Sequence, residues 1–219
     1  AMKLTKILIT HWHGDHILGL PGLFLTLGAL GYPKPLEIYG PKGTQTFIEK
    51  LRTFFVSRDQ LQCHVTEIHT GVFLETEDFV LEAAPLQHNT PCLGYAFREN
   101  DRWRVNMSAL KSQGVKPGPH LKKLQQGKDI AYQGKTYKAK EFTTAVKGKK
   151  VTLITDTIPC ASAIQLAKES DILFCEATYL DDLGSEAMER KHMTARQAAE
   201  IAKKADVKKL VLIHFSQRY

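Results

Sequence analysis

Short apolar runs separated by polar turns make up most of this chain, and many of them stop on a histidine or an aspartate. The β-prone run from Thr5 to Thr10 predicts a strand that opens into Thr10-His11-Trp12-His13-Gly14-Asp15-His16. The dense apolar segment from Ile17 to Leu27 predicts a buried helix, with Pro21 tolerated near its start. Leu36 to Tyr39 predicts a short strand, Gly40 to Gly43 a turn, and Thr44 can cap a helix running to about Val56. Further strands are expected over His64–His69, Phe79–Ala84 and Gly94–Arg98. The pattern resumes with strands over Val151–Thr155, Asp171–Cys175 and Lys209–Ile213, and with an amphipathic helix, Ala195 to Ala205, capped by Thr194. Strands alternating with helices predict an α/β architecture with the helices outside.

Residues 102–150 break this pattern. Apolar periodicity weakens, Gly114-Val115-Lys116-Pro117-Gly118-Pro119 is rigid and non-helical, and Leu121-Lys122-Lys123-Leu124 is a brief amphipathic turn. The stretch has too little apolar surface for a core of its own and reads as an insertion projecting from a core formed by residues 1–101 and 151–219. Only one strand precedes the histidine motif, where a sheet normally has neighbours on both sides. The expectation is therefore a fragment, with residues belonging before Ala1 and after Tyr219.

Composition adds three constraints. A hydrophobic content of 43% and a charged content of 24% fit a globular protein, and no apolar run approaches a membrane span. Cys63, Cys92, Cys160 and Cys175 are widely spaced, which argues for a reducing compartment, the cytoplasm, and against a disulfide framework or a cysteine zinc knot. The net charge of +7 is uneven: residues 102–150 hold thirteen Lys or Arg against Asp129 and Glu141. That basic segment suggests a polyanionic partner; the alternative is a solvated lysine-rich loop.

The candidate chemistry lies at the ends of the runs. His11 and His13 are two apart and point the same way on an extended segment, while Asp15 and His16 can turn to a second point after Gly14. Imidazoles and carboxylates suit a borderline-soft ion such as zinc, and two ions close together suit hydrolysis of phosphate esters or acyl compounds. His88, Asp156 and His214 end other strands and are further ligand candidates; Asp156 could instead cap the helix beginning near Cys160. His64 and His69 are assigned no role beyond structure.

These motifs resemble the metallo-β-lactamase superfamily and, within it, the tRNase Z family of tRNA 3′-processing endoribonucleases. The opening His11-Trp12-His13-Gly14-Asp15-His16-Ile17-Leu18-Gly19-Leu20-Pro21-Gly22 resembles H-x-H-G-D-H-x-x-G-L-P-G. Cys175-Glu176-Ala177-Thr178 with His192-Met193-Thr194 is similar to the family's H-E-A-T and H-S-T pair, and residues 212–219 to its T-H-F-S-x-R-Y ending. Cys175 departs from the family's histidine and Thr155 from its glycine; neither position must bind metal. The family's N-terminal strands and D-x-G-E-G-T-Q segment have no counterpart here. The resemblance implies an αββα sandwich and two Zn²⁺ per subunit, one held by His11, His13 and His88, the other by Asp15, His16 and His214, with Asp156 bridging. It further implies hydroxide attack on a phosphodiester of precursor tRNA, removing the 3′ trailer and leaving a 3′-hydroxyl. Asp15 would orient the nucleophile, and His192, positioned by Glu176, would protonate the departing oxygen. Without the resemblance, Glu176 and His192 read as ordinary surface residues. Pro117-Gly118-Pro119 and Leu124-Gln125-Gln126-Gly127-Lys128 resemble the family's tRNA-gripping arm, implying RNA contacts from Gly118, Pro119, Lys122, Lys123 and Lys128. It also implies a homodimer. Two other functions compete: a small-molecule metallohydrolase such as an arylsulfatase or phosphodiesterase, to which a basic arm is of no use, and a non-catalytic RNA-binding scaffold, against which the seven candidate ligands speak.

Overall fold

The computed structural model describes residues 2–54 and 61–219. In chain order its elements are β1 (Lys6–Leu8), α1 (Gly14–Ile17), α2 (Leu20–Ala29), β2 (Leu36–Gly40), α3 (Thr44–Phe54), β3 (Cys63–Glu67), β4 (Gly71–Glu75), β5 (Phe79–Leu86), β6 (Cys92–Glu99), β7 (Arg102–Val105), α4 (Met107–Ser112), α5 (Leu121–Gln125), β8 (Ile130–Tyr132), β9 (Lys135–Tyr137), α6 (Ala139–Phe142), β10 (Thr143–Val146), β11 (Lys150–Ile154), α7 (Ala161–Ala167), β12 (Ile172–Glu176), α8 (Gly184–Glu189), α9 (Ala195–Lys204) and β13 (Leu210–Ile213). They form two compact units, Ala1–Glu75 with Val80–Phe97 and Lys150–Tyr219, and Thr76–Phe79 with Arg98–Lys149.

The larger unit is built on two sheets, ordered β1-β2-β3 and β13-β12-β11-β6-β5-β4. Three apolar clusters give the layers. Phe24 and Leu27 of α2 and Ile48 of α3 pack with Leu36 and Ile38 on one side of the first sheet. Tyr39, Ala83, Leu93 and Tyr95, with Leu8 and Phe73, join the two sheets. Ile154, Leu173 and Cys175 pack against Ala163 of α7 and Ile201 of α9. Helix, sheet, sheet and helix in that order make the αββα sandwich. Strands β1, β2 and β3 are mutually parallel, as are β11, β12 and β13. Buried on both faces, such strands read as apolar runs, and their C-terminal ends share one edge where loops can gather functional groups.

Several elements differ from the sequence expectation. The apolar segment after His16 is interrupted at Leu18-Gly19 and its helix runs over Leu20–Ala29. It is not wholly buried: Pro21, Phe24 and Leu27 face inward, whereas Leu18 and Leu30 are exposed. Thr44 is not a cap. Its hydroxyl donates to the Pro41 carbonyl and accepts from Trp12 Nε1, and the Glu67 carboxylate takes the Gly43 and Gln45 amides at the start of α3. Val56 lies outside the described residues. Strand β4 is an addition to the expected strands, since its half-exposed edge position gives only a weak apolar signal. Thr194, by contrast, forms the expected cap, with Gln197 completing a capping box.

The second unit corrects the sequence reading outright, because it has a core of its own. Leu110, Val115, Leu121, Leu124, Ile130, Tyr137 and Ala139 are buried together. Their spacing is irregular because five short elements contribute, so no single period betrays them. Strand β7 pairs antiparallel with β10, and Gln133 and Gly134, with φ of 50° and 77°, make the tight turn between β8 and β9. The lysines stay outside this core; Lys122, Lys123 and Lys128 are exposed, as is Pro119, while Gly118 is half-buried.

Candidate metal centre

Parallel strands ending at one edge bring distant residues together. His11 and His13 lie on the extended segment after β1, and Asp15 and His16 on the single-turn helix α1. His88 follows β5, Asp156 follows β11 and His214 follows β13. The donor atoms of His11, His13, His88 and Asp156 all lie within 4.8 Å of one another, and so do those of Asp15, His16 and His214. Asp156 stands between the sets. Its Oδ2 is 3.5 Å from His11 Nε2, 3.4 Å from His16 Nε2 and 3.8 Å from His88 Nε2, and its Oδ1 is 3.5 Å from His214 Nε2. It does not cap α7, whose N-cap is Cys160.

The far sides of these rings are occupied. His11 Nδ1 lies 3.1 Å from Thr10 Oγ1, and His88 Nδ1 lies 3.0 Å from the Lys191 carbonyl, a residue held at φ 61°. A backbone carbonyl only accepts, so His88 donates from Nδ1 and keeps the Nε2 lone pair toward the cluster. His11 Nε2, His16 Nε2 and Asp156 Oδ1 are buried without hydrogen-bond partners. Orphaned polar atoms are rare in a folded interior and call for an explanation. Divalent metal fits: the donors are imidazole nitrogen and carboxylate oxygen, they form two sets, and a carboxylate lies between them.

Burial pushes the His11 imidazole down to about 4 against the pull of Asp156, and burial lowers His88 as well. Both are thus neutral near pH 7, the form that binds metal. Contact with Asp156 raises His16. Burial alone would raise Asp156, but His16 and the charges of the surrounding histidines hold its carboxyl well below the usual range.

Beside the cluster, Glu176 is fully buried at the end of β12. Its Oε1 accepts from the Thr157 amide at 2.7 Å and from His192 Nδ1 at 3.1 Å. Burial lowers His192, but Glu176 outweighs it and the imidazole is raised. Neither residue is the ordinary surface group its sequence position suggests. His192 also lies within reach of Asp156 and His214. Thr178, given no role by the sequence, hydrogen-bonds both Glu176 and His214; its place as the last residue of the Cys175-Glu176-Ala177-Thr178 motif was the signal that could have found it. His64 and His69 are exposed and belong to none of the clusters.

The family model of the β-lactamase superfamily domain matches residues 1–109 and 123–215. A ribonuclease Z of Methanosarcina mazei is 37% identical over 220 residues, spanning 100% of this chain and 72% of that protein. The chain belongs to the ribonuclease Z family. A second relative of similar likeness, a ribonuclease BN of Citrobacter koseri, is 40% identical over 220 residues, covering 99% of this chain and 72% of that protein. Among solved structures, the short form of human tRNase Z superposes with a TM-score of 0.70 at 26% identity, covering 99% of this chain and 74% of that one. The long-form RNase Z from yeast, at 16% identity and a TM-score of 0.62, shares the fold. The ribonuclease Z family thus accounts for the metallo-β-lactamase fold seen here.

Proposed function

We propose that this chain is a zinc-dependent endoribonuclease that removes the 3′ trailer of precursor tRNA and leaves a 3′-hydroxyl. The observation that carries the proposal is the convergence of six other candidate ligands around Asp156 in a chain 37% identical to a ribonuclease Z. His11, His13 and His88 would hold one ion and Asp15, His16 and His214 the other, with Asp156 shared. Cations held there would supply Lewis acidity toward the phosphoryl oxygens and would acidify water. The chain's own groups handle the protons. Asp15, whose side chain is 68% exposed, faces incoming substrate, orients the attacking water and takes its proton. His192, protonated and held by Glu176, gives its proton to the departing 3′ oxygen as the P–O bond breaks. The raised affinity of His192 for its proton keeps the donor charged toward neutral pH.

The basic second unit is the proposed RNA handle, with Gly118, Pro119, Lys122, Lys123 and Lys128 meeting phosphates by charge and shape. Its exposed lysines and its independent core support this reading, since a folded unit presents charge in a fixed pattern. A homodimer and a cytoplasmic location belong to the same proposal. Among the described residues no helix is long and apolar enough to cross a membrane. The test is cleavage of a precursor tRNA by protein of measured metal content, with the product ends mapped and a simple phosphodiester run beside it. Cutting at the trailer junction with a 3′-hydroxyl product is expected. Turnover of the small ester alone would make the protein a small-molecule phosphodiesterase, and RNA binding without cleavage under added zinc would make it a scaffold.

A further inference from the structure

The geometry points to Thr178 as a positioning residue that fixes the tautomer of His214 and ties this candidate metal ligand to the buried carboxylate of Glu176. The inference rests on reading the cluster as a two-metal site.

The hydroxyl of Thr178 has one proton and three polar neighbours, Glu176, His214 and, at the longest distance of 3.4 Å, His192 Nδ1, which already points its hydrogen at Glu176. Its Oγ1 lies 2.6 Å from Glu176 Oε2 and 2.9 Å from His214 Nδ1. Glu176 receives the Thr157 and Met193 amides as well as the His192 ring, so its carboxylate accepts throughout. The hydroxyl proton therefore goes to Glu176. The oxygen then has only lone pairs for His214, and the neutral imidazole must carry its hydrogen on Nδ1. That leaves the Nε2 lone pair directed toward Asp156 Oδ1 at 3.5 Å and Asp15 Oδ2 at 3.8 Å, where a cation is proposed to sit. With the other tautomer, Nε2 would carry a hydrogen and could not ligate.

The backbone supports the same arrangement. His214 has φ of 59°, a left-handed conformation uncommon for a residue with a side chain. The residues on either side are tied to the Thr178 strand end, the Ala177 amide donating to the Ile213 carbonyl at 2.9 Å and the Ser216 amide to the Thr178 carbonyl at 3.1 Å. Thr178 therefore sets both where the His214 ring stands and which nitrogen is free. His192 needs no such relay, because its Nδ1 meets Glu176 Oε1 directly at 3.1 Å. One buried carboxylate thus orders two imidazoles, one by contact and one through a hydroxyl.

The experiment compares wild type, Thr178→Val and Thr178→Ser as full-length, metal-stripped proteins. Long-range ¹H–¹⁵N spectra of the histidine rings report the tautomers, and competition with a chromophoric chelator reports zinc affinity. Wild type should show His214 protonated at Nδ1. Thr178→Val should lose that signature, keep the His192 Nδ1–H signature, and bind zinc about 10- to 100-fold more weakly, the usual cost of removing a group that orients a ligand. Thr178→Ser, which keeps the hydroxyl, should restore both. An Nε2–H tautomer of His214 in wild type overturns the inference, and so does Thr178→Val with wild-type tautomers and wild-type zinc affinity. If Thr178→Val is unfolded by circular dichroism, the wild-type tautomer and the Thr178→Ser affinity still decide. Failure of the metal-site reading gives a different result: wild type itself binds no zinc, whatever the tautomer.

Discussion

His11 Nε2 and Asp156 Oδ2 stand 3.5 Å apart in a buried site, and the imidazole nitrogen has no hydrogen-bond partner. A cation resolves that arrangement by accepting both lone pairs. Zinc added to metal-stripped protein should therefore raise the melting temperature, with a gain of about 2.7 kcal/mol at a free concentration near 100 times Kd. Asp156→Ala should lose most of that increment and all cleavage, because this carboxylate is proposed to serve both ligand sets. A thermal melt in zinc buffers checks it; an unchanged increment in Asp156→Ala removes the bridging role.

Stability of the metal-free protein should depend on the His11 ring. Its folded pKa of about 4 lies below the ordinary value of 6.5, so the unfolded chain takes up the proton first as pH falls. That contribution is fully present above about pH 6.5 and is lost between there and about pH 4, amounting to about 3 kcal/mol. His16 and His192 are raised and act in the opposite sense, being most stabilising below their unfolded pKa. Denaturant titrations at several pH values should show a shallower acid loss for His11→Asn than for wild type. Parallel curves would mean that His11 is not the group responsible.

His192→Ala should slow the chemical step about 10²- to 10⁴-fold, as expected for loss of a positioned acid. Elemental analysis should find the same metal content as in wild type. Loss of an ion instead would make His192 a ligand, a role its nearness to Asp156 and His214 allows.

The second unit can be removed at a defined place. Val105 pairs with Thr143, and the Asn106 amide donates to the Phe142 carbonyl at 2.7 Å, so Asn-Gly can replace residues 107–141 as a two-residue hairpin loop. The shortened protein should hydrolyse a small phosphodiester normally and bind precursor tRNA more weakly. Its log K against log salt slope should flatten by about 0.7–0.9 for each phosphate that no longer meets a lysine. An unaltered slope would show that these lysines do not meet the RNA.

The H-x-H-x-D-H string, the strand-ending His88, Asp156 and His214, and the alternation of strands and helices are all local patterns. Each depends on neighbours a few positions away, which is why the α/β class and the seven ligand candidates could be named from the chain alone. The cap at Thr194 was legible for the same reason. What failed was non-local. The core of the second unit draws single apolar residues from several short elements, so it has no period to read. Thr44 looked like a cap until Glu67, from another strand, took its place at the helix start.

The sequence by itself determined which side chains were available to bind metal and which segment carried the positive charge, because residue identity and spacing fix both. Only the tertiary structure decided that Asp156 stands between two ligand sets and that Glu176 is buried against His192 with Thr178 linking it to His214. Those relations depend on the register of parallel strands that are far apart along the chain, and on a hydrogen-bond network that forms only once water is excluded.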